Sequence, residues 1–371
     1  MSKTSGEIGL EKQGDLIQIE DYIRREKWEK LPFDIVRLPE KPRILILKLS
    51  AIGDCLIASP VARAVRQQFP EAHIAWAVQD KAKAVVEGNP DLDEVLVWRG
   101  GWKGALKLAG EVRARKFDVI LNLQPQFKSA PILALGGVKI RVVTSRADPS
   151  SRFLSNRIVP IPENQPHASE QYLRVAHAIG IPLDARPEMR LPLSAEERDW
   201  ANSFLIQNNR NADKKLVALN PASLRLIKAW PPEQWKCLVT LMTSEGIQPL
   251  VIGGPKDIEL ASAVAAIAPD AIMAAGKTNL KQLGALLERC DLLVSADTGP
   301  MHIGAAAGTK ILALFGPTDP ALTGPLTKNG TVIVRDLPCR PCLQQPTCER
   351  FECLTELKAE EIWPVVRKLV F

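Results

Sequence analysis

The sequence predicts an α/β protein built as two similar halves, each a parallel sheet wrapped by helices. Three observations carry that prediction. From residue 43 onward, short apolar runs alternate strictly with helical stretches, the pattern of parallel crossover units. A Pro-rich stretch, Ile181 to Pro192, interrupts the alternation, which then starts again. The length of 371 residues suits two domains of roughly 150 residues each. The divisions are an N-terminal extension over 1–41, a first half over 42–190 and a second half over 191–371.

Taken in order, Met1 to Gly14 is polar. Asp15 to Lys30 spaces Leu16, Ile19, Tyr22, Ile23 and Trp28 among charges, which predicts an amphipathic helix packed on its own domain rather than laid on a membrane. Arg43–Leu49 (RILILKL) is a buried strand, Ser50 to Asp54 the turn after it, and Cys55–Phe69 a helix with Ala58, Val61, Ala62 and Val65 on its apolar face. Strand His73–Val78, helix Lys81–Gly88, strand Glu94–Trp98, helix Lys103–Arg115 and strand Asp118–Leu123 follow, and Pro131–Leu135 and Ile140–Val143 continue the series. A polar stretch with Pro160, Pro162 and Pro166 leads to the helix Glu170–Ile179. Ser194 opens the helix Ala195–Gln207, with Glu197 completing a capping box.

The second half repeats the scheme. Its elements are strand Leu216–Asn220, helix Pro232–Gly246, strand Pro249–Ile252, helix Asp257–Ala268, short strand Ala271–Ala274 and helix Leu280–Arg289. Next comes the apolar run Leu292–Val294 and the turn Ser295 to Pro300. Met301–Ala307 is a helix of small residues able to pack close to a sheet. Gly308-Thr309 stops it, Ile311–Phe315 is another strand, and Gly316 to Pro320 a second turn.

Composition bounds the function. Hydrophobic residues make up 46% and charged residues 24%, as in a globular protein with real cores. A net charge of +6 fits an anionic substrate or a membrane surface and is too small to indicate nucleic acid. No apolar run reaches the ~18 residues of a spanning helix, and no apolar signal core opens the chain. The expected location is therefore the cytoplasm.

The chemistry lies in the turns at the carboxyl ends of strands, where open sheets bind ligands. Asp297-Thr298-Gly299 leads into a helix whose first N–H groups and positive dipole end suit a phosphate; the alternative is an ordinary turn capped by Asp297. Asp54, beside Gly53, puts a carboxylate on the cleft side of the first strand, or else caps the helix that follows. Lys228, preceded by Ser223 and Arg225, can neutralise a phosphate or be a solvated surface lysine. Asp257, after Gly253-Gly254, can hold a ribose hydroxyl or cap its helix. Asp91-Leu92-Asp93, a DxD pattern that binds metal in some transferases, follows Asn89-Pro90 and reads as turn chemistry. Cys339, Cys342, Cys348 and Cys353 form a C-x-x-C with two more cysteines, able to hold zinc or an iron–sulfur cluster or to pack a loop as reduced thiols. Cys55, Cys237 and Cys290 read as core.

Five stretches, in this order, resemble the lipopolysaccharide heptosyltransferase family, glycosyltransferase family 9. They are KLSAIGDCLIASPVARAVRQQFP, NLQPQFKSA, LNPASLRLIKAWPPEQW, VIGGPKD, and DLLVSADTGPMHIGAAAGTKILALFGPTDP. The resemblance implies the GT-B fold: two Rossmann-like, doubly wound parallel-sheet domains facing a central cleft. It implies Asp54 as the base that takes the acceptor hydroxyl proton and Lys228 as the cation on the diphosphate, with Ser223 nearby. Thr298 and Gly299 would offer backbone N–H groups, Asp297 and His302 would shape their turn, and Asp257 would face the ribose. Lys128 would lie near an anionic glycolipid acceptor, with Gln124 and Arg63 as further contacts, while Arg66, Lys103 and Arg113 extend a basic face. The donor would be an ADP-sugar, ADP-heptose by type. Catalysis would need no cofactor, and the enzyme would work at the cytoplasmic surface of the inner membrane of a Gram-negative-type bacterium. Asn122 departs from the family, standing where many members have an acidic residue. Pro221 and Leu224 are less polar than a phosphate loop favours.

Other classes are a family-9 transferase using a different nucleotide sugar, a non-catalytic sugar-nucleotide-binding protein, and a Rossmann epimerase or dehydrogenase. Against the last, the first turn reads SAIGD rather than GxGxxG, and neither Tyr22 nor Tyr172 has a lysine four residues on.

Overall fold

The computed structural model describes the backbone of residues 15–18, and residues 30–371 apart from 125, 164, 183–187, 224, 343–347 and 349. The first described element is a strand, β1 (Asp15–Gln18), where the sequence reading expects the start of a helix. It pairs antiparallel with β13 (Gly330–Val334), Asp15 opposite Val334 and Gln18 opposite Thr331. The physical reason is tertiary. The last parallel strand leaves a row of unpaired backbone groups, and an added strand satisfies them. The rest of the expected helix, 19–29, lies outside the described residues.

The first sheet is built from β2 (Arg43–Leu47), β3 (His73–Gln79), β4 (Glu94–Trp98), β5 (Val119–Asn122), β6 (Ile140–Thr144) and β7 (Arg157–Val159). Their order is β4-β3-β2-β5-β6-β7, all parallel. The second contains β8 (Leu216–Asn220), β9 (Gln248–Val251), β10 (Ile272–Met273), β11 (Leu292–Ala296) and β12 (Ile311–Phe315) in the order β1-β13-β12-β11-β8-β9-β10. Strands covered by helices on both faces can be apolar throughout, and β8, β9, β11 and β12 are buried along their whole length.

Several elements escape the sequence pattern. Between Val143 and the helix Glu170–Ile179, where the sequence reading sees only a polar stretch, stand β7 and a short helix, Pro149–Phe153, capped by Asp148. β13 and the last helix, Ala359–Val370, follow the final turn that the sequence singles out. Residues 80–85 form a 3₁₀ helix rather than an α-helix.

The halves share one apolar core. Ile44, Ile46, Trp76 and Val78 of the first sheet belong to the same buried cluster as Ile252, Met301 and Ile303 of the second half. The helix Ile52–Gln68, which follows β2, packs against the helix Gly299–Ala306, which follows β11. Thus the turns at the carboxyl ends of β2 and β11 meet across the junction. His167 ties the halves a second time. It is fully buried, its Nδ1 accepts from Ser169 N–H at 3.2 Å, and Nε2 lies 3.1 Å from the Gly324 carbonyl oxygen. A ring with Nδ1 accepting and Nε2 donating is neutral, and burial lowers its pKa to about 4.

Candidate active site

The turn after β2 is short, and the helix begins at Ile52 rather than Cys55. Asp54 therefore sits within the first helical turn. Its Oδ2 accepts from the Ala51 backbone N–H at 3.1 Å and lies 3.5 Å from Lys48 Nζ. Both the capping reading and the cleft reading of Asp54 thus describe one carboxylate, which is 43% exposed. Both contacts fall on Oδ2, and among the described residues no hydrogen bond engages Oδ1. Lys48 is the opposite case, with 2% of its side chain exposed. It lies 5.1 Å from the Tyr172 ring centroid. Burial pulls its pKa down, but Tyr172 and Asp54 outweigh burial and hold the lysine above its usual range. The sequence reading passes over Lys48, since an apolar strand RILILKL hides a lysine whose head finds a polar pocket only in three dimensions.

Gly53 meets the other half directly. A Cβ built there would stand 2.5 Å from His302 Cδ2. The space above Gly53 is taken by this imidazole. His302 is buried, and its Nδ1 has no hydrogen-bond partner among the described residues. Burial lowers its pKa, opposed by the Asp297 and Asp54 carboxylates and assisted by Lys228.

On the second half, Lys228 ends a 3₁₀ turn after β8, and its Nζ lies 2.5 Å from Asp297 Oδ2. The pair is 17% and 7% exposed. Lys228 is thus not a solvated surface lysine, and Asp297 does not cap the helix; Thr298 is its N-cap. Thr298 Oγ1 accepts from Asn220 Nδ2 at 2.8 Å, and the same amide reaches Ser295 Oγ at 3.0 Å. Asn220, absent from the sequence candidates, fixes this turn from the end of β8. Gly299 leaves Ile52 Cγ2 at 4.0 Å from a Cβ built on it, so the two helix N-termini face each other. Asp54 from one half and Lys228, Asp297, Thr298, Gly299 and His302 from the other therefore share one site.

Of the remaining candidates, Lys128 and Gln124 reach the Asp54 turn, while the contacts of Ser223 and Asp257 are local. Lys128 is exposed, and its Nζ reaches Ser50 Oγ at 3.5 Å. Gln124 is buried, with Oε1 accepting from the Leu49 and Ser50 backbone N–H groups at 3.0 and 3.2 Å, so it orders the Asp54 turn. Asn122 is also buried and holds the loop after β5 through Ser129 and Gln124. Arg63 is half-buried on the helix after Asp54, about two and a half turns further along. Ser223 closes a local turn with Arg225. Asp257 Oδ2 accepts from Gly254 N–H at 2.8 Å, capping the turn after β9.

Asp93 of the DxD sequence lies before β4, at the opposite edge of the sheet. Its Oδ2 accepts from Ile74 N–H at 2.7 Å and Arg66 Nη2 at 2.6 Å. Burial raises its pKa, but these two donors outweigh burial and leave it below the ordinary value. Asp91 N–H bonds Asn89 Oδ1 at 2.9 Å, a turn contact.

Cys339, Cys342, Cys348 and Cys353 are free thiols, and among the described residues no group of three or more Cys, His, Asp or Glu side chains could hold a metal. Cys353 is buried with its Sγ 3.3 Å from a Cβ built on Gly316, whereas Cys339 is exposed. Burial raises the Cys353 pKa to about 11, with Arg340 opposing and the other three thiols adding to it. Cys353 thus packs into the wall beside β12. Cys55 and Cys290 are buried as expected, while Cys237 is half-exposed on its helix.

Two doubly wound halves with an acid–cation site between them have the arrangement of the GT-B fold. Residues 105–351, two thirds of the chain, match the profile of glycosyltransferase family 9 (heptosyltransferase), and the chain belongs to that family. It is similar to a lipopolysaccharide core heptosyltransferase of Haemophilus influenzae, 29% identical over 79% of this chain and 85% of the relative. Among solved structures, a family 9 glycosyl transferase from Veillonella parvula superposes with a TM-score of 0.81 at 25% identity, over 91% of this chain and 99% of the other. An Escherichia coli heptosyltransferase with ADP-2-deoxy-2-fluoro heptose gives 0.68 at 23% identity, over 88% and 99%.

Proposed function

We propose that this enzyme moves a heptose from ADP-heptose to a sugar of a lipopolysaccharide core, either Kdo or heptose, with inversion and without a metal. The first half (residues 42–190) holds the acceptor and the second (191–371) the nucleotide. The observation that carries this reading is the pairing, across one junction, of the Asp54 carboxylate with Lys228 and the N-terminus of the Gly299–Ala306 helix. The names of the relatives, a lipopolysaccharide core heptosyltransferase and a heptosyltransferase with an ADP-heptose analogue, support this choice of donor and acceptor class.

The chemistry follows from the charges. An acceptor oxygen attacks the anomeric carbon from the face opposite the nucleotide. The bond from that carbon to the β-phosphate oxygen breaks, and ADP leaves with the electron pair. Asp54 takes the acceptor hydroxyl proton through the oxygen that the protein leaves unengaged. Negative charge develops on the departing diphosphate. Lys228 and the backbone N–H groups at Thr298 and Gly299 stabilise it without reorganising at the moment of reaction. Lys228 can exchange its Asp297 partner for phosphate oxygens. Asp257 turns toward the ribose, and Ser223 lies beside the diphosphate. Lys128, with Gln124 ordering the loop and Arg63 on the adjoining helix, faces an anionic acceptor. The acceptor is a glycolipid, so the enzyme works at the cytoplasmic surface of the inner membrane. No helix among the described residues is long and apolar enough to cross a membrane, so contact with the lipid is peripheral in this reading.

Calorimetric titration with ADP, UDP, GDP and NAD, with and without EDTA, tests the reading. ADP binding that EDTA leaves unchanged is the expected result. Preference for UDP or GDP keeps the family and replaces the donor, and binding of NAD alone overturns the transferase assignment.

A further inference from the structure

Charge is unevenly spread along the chain. Arg99 to Arg157 contains twelve Lys or Arg residues and only three Asp or Glu, a formal charge of +9 against +6 for the whole chain. The remainder is therefore net acidic. The same stretch carries two phenylalanines with nearly bare rings, Phe127 at 66% and Phe153 at 88% exposure. Each has a cation next to it in sequence, Lys128 and Arg152, and both cations are exposed.

The topology brings these two pairs together. Phe127 and Lys128 lie in the 3₁₀ turn after β5, and Arg152 and Phe153 in the helix after β6. β5 and β6 are parallel neighbours, so both segments stand at the carboxyl edge of the first sheet. A buried hydrogen bond between Ser129 Oγ and Ser151 Oγ, at 3.0 Å, joins them, and Ser151 Oγ also reaches the Gln126 carbonyl oxygen at 3.4 Å. Lys128 in turn reaches the Asp54 turn through Ser50. The result is an aromatic and cationic rim fixed to the edge of the candidate active site.

We infer that this rim docks the enzyme on an anionic phospholipid bilayer. Phosphates alone would engage the cations but leave two exposed phenyl rings in water. A bilayer surface takes both, the rings into the boundary between headgroups and acyl chains and the cations against anionic headgroups. The position explains itself if the acceptor is a glycolipid, since Asp54 is then presented to a sugar held just above the same surface. That purpose rests on the proposed function, whereas the binding itself does not.

The test is co-sedimentation of the full-length protein with vesicles, in the absence of donor and acceptor. One set contains phosphatidylethanolamine and phosphatidylglycerol, the other phosphatidylcholine alone. The wild type should sediment with the anionic set only. The triple variant Phe127→Ser, Arg152→Ser, Phe153→Ser should bind about tenfold or more weakly, with unchanged thermal unfolding. Ile206→Ser, which removes an equally exposed apolar residue from the second half, should bind as the wild type does. Equal binding by the triple variant, equal binding to neutral vesicles, or no vesicle binding at low salt overturns the inference. Loss of transfer to a soluble, deacylated acceptor in the triple variant, with vesicle binding intact, assigns the rim to acceptor recognition instead. An enzyme that does not use ADP-heptose leaves this test intact, so the two proposals fail separately.

Discussion

In the proposed mechanism the chemistry turns on Asp54 and Lys228, and each of these residues has an opposite charge beside it, Lys48 and Asp297 respectively. Asp54→Asn keeps the cap to Ala51 and removes the base. We expect kcat to fall on the order of 10² to 10⁴-fold, the usual worth of general base catalysis, with ADP affinity in calorimetry nearly unchanged. Loss of both together would count against the base assignment. Lys48→Met should lower kcat about tenfold through misplacement of Asp54, again without weakening ADP; its buried ammonium acts only through the carboxylate 3.5 Å away. Lys228→Ala should do the reverse. A charge-assisted hydrogen bond contributes roughly 1.5–3 kcal/mol, so ADP affinity should fall about 10- to 100-fold. Unchanged affinity in that variant would place the diphosphate elsewhere.

At the scale of elements, the site depends on two helices whose first turns approach closely. Gly53 makes the approach possible, because any side chain there meets the His302 ring. Gly304 lets the second of these helices pack on its own sheet, where a Cβ would stand 2.7 Å from Leu293 Cδ2. Overpacking at such contacts costs about 1–3 kcal/mol. Gly53→Ala should therefore destabilise the protein by that amount in urea denaturation. The double variant with His302→Ala should recover most of the loss, since the clash needs both partners. Additive effects would show that Gly53 matters for its backbone alone.

For the whole molecule, the junction between the halves contains a pH-dependent tie. His167 titrates at about 4 in the fold, against an ordinary value near 6.5. Between those values the unfolded chain binds a proton that the folded chain does not. Stability present above pH 6.5 is thus lost as the pH falls toward 4, by roughly 3 kcal/mol from this group. Urea midpoints measured from pH 7 to 4 should fall less steeply for His167→Gln, which can still bond Ser169 and Gly324. An identical pH slope would mean that the ring is not buried as a neutral group.

Much of this protein was legible in its sequence. Alternating apolar runs give a parallel sheet because each crossover must bury both faces of its strands, and that local rule placed β2 to β6 and β8 to β12. The same logic singled out Asp54, Asp297, Thr298 and Gly299, because turns at strand carboxyl ends are recognisable from glycine, proline and small polar residues. What the sequence could not specify were facts about partners distant in the chain. β1 is a strand only because β13 offers it an open edge. Lys48 carries charge inside an apolar strand only because Asp54 and Tyr172 surround its head. Lys228 and Asp297, 69 residues apart, become an ion pair, and His302 fills the space over Gly53, only when the two sheets pack. Spacing is local and can be read along the chain; charge compensation, edge pairing and packing depend on which segments meet, and only the tertiary structure decides that.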